Sequence, residues 1–388
     1  MKKTLAALAV LGTLAGSAVA GDVTIYGRID GGFALTDWEK TTFAGMKTDG
    51  DKFVMDSGLG STNRVGIKGS EKISDDLTVG FVLETKLNGD TGVAFDDSGK
   101  TGFNRESLIF AQTNYGTFYA GRVGSMWSDG GATNFWAGNY VVAGTGGAAG
   151  LIQGTGLMVS ESAREANRIS YVSPEFGGFK LYAEYSFGAG VKDEDDIVYN
   201  ENTSKDDRPS AIGLNYLNGP FGMGAVLTYR NEASVTLAGV HDDQEDELTF
   251  NLGTHYDMGW ANFKLAGQYF KGADKIGNTT GLLDLDSMTF DDLKGYSIAT
   301  GATVPAWGGT WDIGVYYTDA ETDTPDGKYG HVDFKAYNVG ALYAYPLSKR
   351  TVMKTGIGYV KAEADADNAD HTSEYEATIA AITLLHYF

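Results

Sequence analysis

The feature that most constrains the fold is an alternation of apolar and polar residues that returns along almost the whole chain. In VTIYGRIDGGF, the earliest case, Val23, Ile25 and Ile29 fall on one parity, and Thr24 and Arg28 fall on the other. Successive side chains of a β-strand point to opposite faces, whereas the faces of a helix repeat about every 3.6 residues. Because no helical period competes over a comparable length, the sequence predicts an all-β protein.

The predicted strands are joined alternately by short turns and by long polar loops. We predict sixteen strands, at residues 23–33, 61–71, 77–87, 103–113, 116–122, 166–173, 178–187, 209–216, 221–230, 246–256, 260–270, 295–304, 309–318, 333–345, 351–361 and 376–388. The long loops are rich in Asp, Gly, Asn and Thr and cover residues 34–60, 88–102, 123–165, 188–208, 231–245, 271–294, 319–332 and 362–375. This asymmetry is typical of a transmembrane antiparallel β-barrel with short periplasmic turns and long extracellular loops.

The amino-terminal residues have the features of an export signal. Two lysines precede an apolar run over residues 5–14, and the small residues AVA follow at 18–20. We predict that residues 1–20 are a cleaved signal peptide and that residues 21–388 form the barrel domain. A retained membrane anchor is the alternative, but the run is shorter than the roughly 20 residues that a spanning helix needs.

The last twelve residues, ATIAAITLLHYF, contain no Asp, Glu, Lys or Arg, although the chain has a formal net charge of −21. They are too few for a membrane-spanning helix but enough for a membrane-spanning strand of about 9–11 residues. Hydrocarbon offers no partner for a free N–H or C=O group, so we expect the sheet to close by pairing its last strand with its first. Ile382, Leu384 and Phe388 would then face lipid, and Thr383 and Leu385 would face inward.

Other classes of protein fit these features less well. A soluble β-sandwich would also alternate, but it would not explain the export signal, the loop asymmetry and the apolar terminus together. An outer-membrane hydrolase needs a nucleophile beside a base, and none of the five histidines can be placed beside a serine from the sequence. The acidic composition argues against nucleic acid, whose phosphates require clustered Lys and Arg.

The sequence predicts no cofactor and no metal site. GTGGAAG in the third long loop lacks the strand-turn-helix setting of a dinucleotide site. The stretches DADNAD and DTPDGK have carboxylate spacings that suit calcium, but neither completes a loop of about 12 residues closed by a bidentate Glu. We interpret both as solvated loops. Bridging of such carboxylates to lipid headgroups by divalent ions stays open as an alternative.

The chain resembles the general diffusion porins of Gram-negative bacteria, especially the β-proteobacterial branch, in the stretches TIYGRIDGGF, STNRVGIKGSEKISDDLTVGFVLET, FNRESLIFAQTNYGTFYAGR, ANRISYVSPEFGGFKLYAEYSFG, YAYPLSKRTVMKTGIGYV and HYF. The resemblance implies a homotrimer of sixteen-stranded barrels in the cell outer membrane, with the third loop, 123–165, folded into the lumen as a constriction. We also expect contacts with outer-membrane lipid and lipopolysaccharide, and with the barrel-assembly machinery through a C-terminal strand ending in Phe388.

The resemblance further implies a basic cluster on the barrel wall that faces the third loop. Its positions carry over to Arg28 in YGR, Arg64 in NRVGIKG, Arg105 in FNRES and Arg168 in NRISY. Alternation independently places these side chains inward, because each lies on the parity opposite to the apolar residues of its strand. We therefore predict that the four arginines line the pore constriction.

The third loop departs from the enterobacterial porins, in which acidic loop residues oppose the basic wall. Asp129 is the only acid of this loop before Glu161. With Asp129 as the sole counter-charge, the narrowest point would be positive and would prefer anions, since a narrow low-dielectric opening focuses the field. The acidic outer loops favour cations at the mouth, but salt screens their charges over about 8–10 Å.

A barrel of this size leaves a water-filled lumen. The sequence therefore predicts a non-enzymatic channel for passive diffusion of ions and small hydrophilic solutes, with a weak preference for anions. A substrate-specific channel with a saturable binding site is the alternative.

Overall fold

The fold is seen in a computed structural model, which describes residues 23–93, 102–128, 130–140, 158–159, 164–193, 196–198, 201–203, 206–233, 235–237, 240–242, 245–273, 276, 293–323 and 329–388. The strands are β1 (Thr24–Thr41), β2 (Lys47–Ser57), β3 (Arg64–Ser74), β4 (Leu77–Lys86), β5 (Glu106–Thr113), β6 (Gly116–Gly124), β7 (Arg164–Val172), β8 (Phe179–Ser186), β9 (Val191–Asp193), β10 (Asp196–Val198), β11 (Arg208–Asn218), β12 (Phe221–Asn231), β13 (Val235–Leu237), β14 (Val240–Asp242), β15 (Glu247–Asp257), β16 (Asn262–Ala273), β17 (Leu293–Ala306), β18 (Gly309–Asp323), β19 (His331–Pro346), β20 (Thr351–Ala366) and β21 (Ser373–Tyr387). A short helix, α1 (Trp136–Asn139), lies between β6 and β7. Across these described ranges, no helix is long and apolar enough to cross a membrane.

Seventeen of the described strands form one closed antiparallel sheet. They occupy sixteen positions around the barrel, because β2 and β3 share the position beside β1. Residues 31–41 of β1 pair with β2, and residues 24–28 pair with β3. The strands β9 and β10 form a separate hairpin, as do β13 and β14. The predicted all-β barrel with sixteen wall positions is confirmed.

The two ends of the chain close the barrel. Strand β21 pairs with β1 continuously from Arg28↔Tyr387 to Thr41↔Glu374. The terminal Phe388 extends this ladder, since its N–H donates to the Gly27 carbonyl at 3.1 Å and its carbonyl accepts from the Gly27 N–H at 3.1 Å. The predicted pairing of the last strand with the first is therefore confirmed.

The C-terminal strand separates its two faces as the alternation predicts. The outward side chains of Ile382 and Leu384 are 47% and 50% exposed, whereas Thr383 and Leu385 are 2% and 0% exposed. Large apolar residues are exposed on the outward face of many other strands, among them Ile25, Ile109, Ile212, Leu252, Leu265 and Val339. A contiguous exposed apolar surface of this kind is the lipid-facing band of a membrane barrel.

Aromatic side chains border this apolar band at both ends. Tyr296 and Tyr317 lie toward the long-loop rim with their ring centroids 6.3 Å apart. Trp311 and Tyr343 lie toward the short-turn rim, 4.9 Å apart. Such rings are stable at the two membrane interfaces, where one end of the ring is wet. Along β19, the nine residues from Tyr337 to Tyr345 span about 27 Å, or roughly 20 Å of membrane thickness at a tilt of about 40°.

Several predicted loops are wrong in their extent. The region 34–60 is largely strand, since β1 continues to Thr41 and β2 covers Lys47–Ser57. The strands around the last two long loops also extend further, leaving connections at 324–330 and 367–372. These strand ends lie beyond the aromatic residues of the long-loop rim, where the outward face is charged. The backbone ladder continues there, but the apolar-polar alternation that signals a strand does not.

The structure confirms the predicted short turns, whereas the predicted signal peptide lies outside the described residues. Adjacent strands are joined at one rim by brief connections, for example 75–76, 114–115, 219–220 and 307–308, which confirms the predicted turns. Residues 1–22 lie outside the described residues, so the signal peptide at 1–20 stays a prediction. The same holds for the boundary between it and the mature chain.

The lipid-facing band predicts the effect of a charge placed on it. We expect Ile382→Arg to lower the free energy of unfolding by about 2–4 kcal/mol, because a guanidinium in the hydrocarbon loses its hydration. Glu374→Arg, on the same face of β21 but beyond the aromatic residues, should cost at most about 1 kcal/mol. Equilibrium urea unfolding in lipid vesicles measures both. Equal losses for the two variants would contradict the assignment of the band.

Candidate functional site

The residues that follow β6 turn into the barrel. The described residues of segment 125–140 (125–128 and 130–140) include helix α1, and the side chains of Met126, Trp136 and Tyr140 are all 0% exposed. Their rings pack on each other, with the Trp136 and Tyr140 centroids 5.3 Å apart. Phe135 packs on the inward ring of Tyr182 from β8, at 4.4 Å between centroids. This part of the third connection therefore lies against the inner wall.

These aromatic side chains pack against a patch of glycines on the inner wall. Gly213 of β11, Gly224 of β12 and Gly253 of β15 face the segment, and Gly224 and Gly253 are directly paired across two strands. A Cβ atom at Gly253 would lie 2.6 Å from the Cβ of Tyr140, which no real contact allows. A Cβ atom at Gly213 would overlap the Met126 sulfur, and a Cβ atom at Gly224 would overlap the Tyr140 ring. The three glycines therefore make the space that the aromatic segment fills.

Polar side chains of the wall hold the same segment by hydrogen bonds. The Glu106 carboxylate accepts from the backbone N–H groups of Gly124 and Ala132, at 3.1 and 3.3 Å. Further along, Gln268 of β16 binds both backbone groups of Val159, accepting from its N–H at 2.8 Å and donating to its carbonyl at 2.6 Å. The third connection is thus attached to the wall near its start and again near its end.

Two of the predicted arginines share one carboxylate. Arg105 donates from Nε to Glu84 at 2.5 Å, and an Arg64 guanidinium nitrogen lies 3.6 Å from the same oxygen. The other Glu84 oxygen accepts from the Tyr26 hydroxyl at 3.1 Å. All three charged side chains are almost fully buried. Arg64 and Arg105 therefore enter a compensated network and do not stand as isolated positive charges.

The other predicted residues are placed differently. Arg28 is directly paired with Arg64 across the strands, and its Nε donates to the Thr62 carbonyl at 3.0 Å. Arg168 lies apart from these residues, in a fully buried ion pair with Glu184 at 2.7 Å. Asp129 lies outside the described residues. The structure therefore brings Arg28, Arg64 and Arg105 together and places Arg168 in a second cluster.

Arg168 and Glu184 support the third connection. The hydroxyl of Thr133 contacts Glu184 and also donates to the Gly124 carbonyl at 2.6 Å. Thr133 therefore connects the ion pair to the start of the inserted segment. Each of its two side chains is only 1% exposed.

A cavity of about 350 Å³ lies between the first cluster and the third connection. Its lining combines charged side chains of both signs with backbone of the inserted segment: Tyr26, Arg28, Arg64, Lys68, Glu84, Glu106 and residues 130–132. Lys68 is exposed and its ammonium lies 5.0 Å from the centre of the Tyr26 ring. Among the cations of this lining, Lys68 and Arg28 are therefore more exposed than Arg64.

Sequence reasoning missed the wall glutamates. Glu84 and Glu106 are directly opposite each other on β4 and β5, and Glu184 lies on β8. Each occupies an inward parity, which is the one signal that could have identified them. Their pairing with particular arginines depends on the register between neighbouring strands.

In β5 the inward parity belongs to Glu106 and Leu108, whereas Ile109 is 63% exposed. The predicted parity of Arg105 is therefore wrong: this residue precedes the strand, and its burial does not follow from the alternation.

A closed barrel with an apolar outer band, aromatic borders and buried charges on its inward face defines the class of outer-membrane channel proteins. The chain matches the family model of the Gram-negative porins over residues 5–365. It therefore belongs to the Gram-negative porin family. It is a channel protein of the cell outer membrane and not an enzyme.

Individual relatives agree with this family. An outer membrane porin protein of Bordetella pertussis is 28% identical over 400 residues, covering 96% of this chain and 98% of that protein. Outer membrane porin protein 32 of Delftia acidovorans is 28% identical over 377 residues, covering 93% and 90%. These proteins span nearly the same length as this chain.

Solved structures of similar fold include an anion-selective porin from Comamonas acidovorans, with a TM-score of 0.59 and 23% identity, covering 95% of this chain and 100% of that one. Another is the trimer form of OmpT, an outer membrane protein of Vibrio cholerae, with a TM-score of 0.57 and 16% identity, covering 95% and 100%. At these identities the likeness establishes the fold.

The buried ion pair predicts a large effect on stability. We expect Arg168→Met to lower the free energy of unfolding by about 3–5 kcal/mol, because it leaves Glu184 buried without its partner. The double variant Arg168→Met/Glu184→Leu should recover much of this loss. Lys68→Met, which removes an exposed cation, should cost only about 0.5–1 kcal/mol. Chemical unfolding followed by tryptophan fluorescence tests the series, and a double variant no better than Arg168→Met would refute the pairing.

Proposed function

We propose that the protein forms a water-filled diffusion pore whose narrowest part is made by the third connection, 123–165, together with the inner wall around Arg28, Arg64 and Arg105. The packing of the aromatic segment 125–140 on the glycines of β11, β12 and β15 is the observation that carries this proposal. A segment attached in this way occupies part of the lumen cross-section. It leaves passage for solutes on the side of the charged cluster.

We propose a preference for anions at this narrow part. Arg64, Arg105 and Glu84 largely compensate one another, so their field falls off quickly with distance. Arg28 is half-buried and Lys68 is exposed, so these two cations lie nearer to the lumen water than Arg64 and Arg105. A fold neighbour is an anion-selective porin, which fits this proposal. Asp129 is proposed as a further counter-charge from the third connection.

The assembly of the protein is also proposed. A homotrimer is supported by the trimer form of a fold neighbour. Outer-membrane lipid and lipopolysaccharide are expected on the apolar band and on the charged surface above it. Phe388, which ends the closing strand, is the proposed contact for the barrel-assembly machinery.

The glycine wall predicts a change in conductance. We expect Gly253→Leu to lower the single-channel conductance in planar bilayers, because its side chain would displace Tyr140 and helix α1 toward the pore axis. Gly267→Leu is the control, since Gly267 lies on the outward face of the neighbouring strand, with open space around it and away from the third connection. An unchanged conductance in Gly253→Leu, with a correctly folded barrel, would exclude the proposed constriction.

The charge arrangement predicts opposite shifts in ion selectivity. Under a salt gradient, Arg28→Ala and Lys68→Ala should move the reversal potential toward cation preference, because each removes a cation in contact with lumen water. Glu84→Gln should move it toward anions, because Arg64 and Arg105 lose their counter-charge. Lys335→Ala changes a lysine on the outward face and should leave the potential unchanged. The same direction of shift for Glu84→Gln and Arg28→Ala would overturn this assignment.

A further inference from the structure

A cluster of metal-ligating side chains lies outside the pore, on the outward face at the long-loop rim. Glu321 near the end of β18 and His331 and Asp333 at the start of β19 each offer one ligand atom, and these atoms lie within 4.8 Å of one another. All three have the outward parity of Tyr317 and Tyr337. Asp333 is four residues beyond Tyr337, which is about 13 Å along the strand. The cluster therefore lies above the aromatic border, at the level of the lipid headgroups.

The distances around His331 leave room for an ion. Its Nε2 atom is 3.7 Å from Glu321 Oε2 and 3.9 Å from Asp333 Oδ1. These separations are too long for hydrogen bonds. Two ligands bound to a tetrahedral zinc ion, each about 2.1 Å away, lie roughly 3.4 Å apart. A contraction of a few tenths of an ångström would bring each carboxylate to that distance from His331 Nε2, and the two carboxylate oxygens already lie within 4.8 Å of each other.

The second ring nitrogen of His331 is already held. Nδ1 lies 2.9 Å from Asp323 Oδ1. A carboxylate on the far nitrogen fixes the orientation and tautomer of a metal-binding imidazole, so that Nε2 presents its lone pair to the ion. Asp323 thus has the position of an outer-shell partner.

The local charge also favours a cation. Glu321 is directly opposite Asp333 in the ladder, and Asp333 is directly opposite Asp365 of β20. Like charges in such pairs repel. Lys294 of β17 neutralises only part of this charge, binding the other oxygen of Glu321 at 3.1 Å.

We propose that Glu321, His331 and Asp333 bind a divalent transition-metal ion, of which Zn²⁺ is the representative, on the outer face of the barrel. An imidazole ligand selects such ions over Ca²⁺ and Mg²⁺, which prefer oxygen. Three protein ligands leave a fourth position open. That position faces outward, where water or a headgroup phosphate can occupy it.

Metal titration of the untagged full-length protein tests the proposal. The barrel is folded in detergent, stripped with a chelator and titrated with Zn²⁺ against a chromogenic indicator. We expect one ion per chain. His331→Ala, which removes a direct ligand, should lose more affinity than the roughly 10- to 100-fold that loss of an outer-shell partner costs. Asp323→Asn should show that smaller, outer-shell effect. Heat-modifiable electrophoretic mobility verifies that each variant is folded.

The matched control is His371→Ala, which removes another exposed histidine of the long-loop rim. It should bind Zn²⁺ as the unaltered protein does. Equal affinity in His331→Ala and His371→Ala would overturn the proposal, because the ion would then be held by surface carboxylates alone. Absence of Zn²⁺ uptake by the unaltered protein would also overturn it, and so would complete displacement of Zn²⁺ by millimolar Ca²⁺.

Discussion

The barrel depends on satisfying every backbone hydrogen bond in a medium that contains no water. An unpaired N–H or C=O group in hydrocarbon costs several kcal/mol, so a sheet with a free edge cannot remain in the bilayer. The ladder between β1 and β21 removes that edge, and Phe388 carries it to the last residue of the chain. Closure also explains why β2 and β3 share one position, since together they supply β1 with a neighbour along most of its length.

A closed barrel encloses an interior that is occupied either by protein side chains or by water. The inner wall of β11, β12 and β15 has glycines where side chains would otherwise stand, and the third connection brings Trp136, Tyr140 and Met126 to that surface. The loop therefore supplies the large side chains of this contact and the wall supplies glycines. This combination lets the two surfaces pack densely. The opposite part of the wall keeps its charged residues. The described part of the third connection therefore packs on one part of the inner wall, and charged residues line another part.

The sequence predicts the features that arise from short-range alternation, and it predicts less where partners come from different strands. Period-two patterns place the strands, the outward parity of Ile382 and Leu384 and the inward parity of Arg64. They do not reveal that Glu84 binds both Arg64 and Arg105, because that contact depends on the register of three strands. They also do not reveal that the inward Gly253 accommodates Tyr140, because that contact comes from a loop. The outer parts of β1 and β2 were missed because charged residues on both faces conceal the alternation.

The arginines of the wall have two different electrostatic roles. A guanidinium bound to a carboxylate in a dry site produces the field of a dipole, which weakens faster with distance than that of a single charge. Arg168 and Glu184 are such a pair, and their contact with Thr133 makes them part of the support of the third connection. Arg28 and Lys68 are less buried than Arg64 and Arg105, so in the proposed pore their charge would act on a permeating ion more directly. Under the proposed function, selectivity would depend on where each charge lies relative to the lumen water, and the number of inward arginines alone would not determine it.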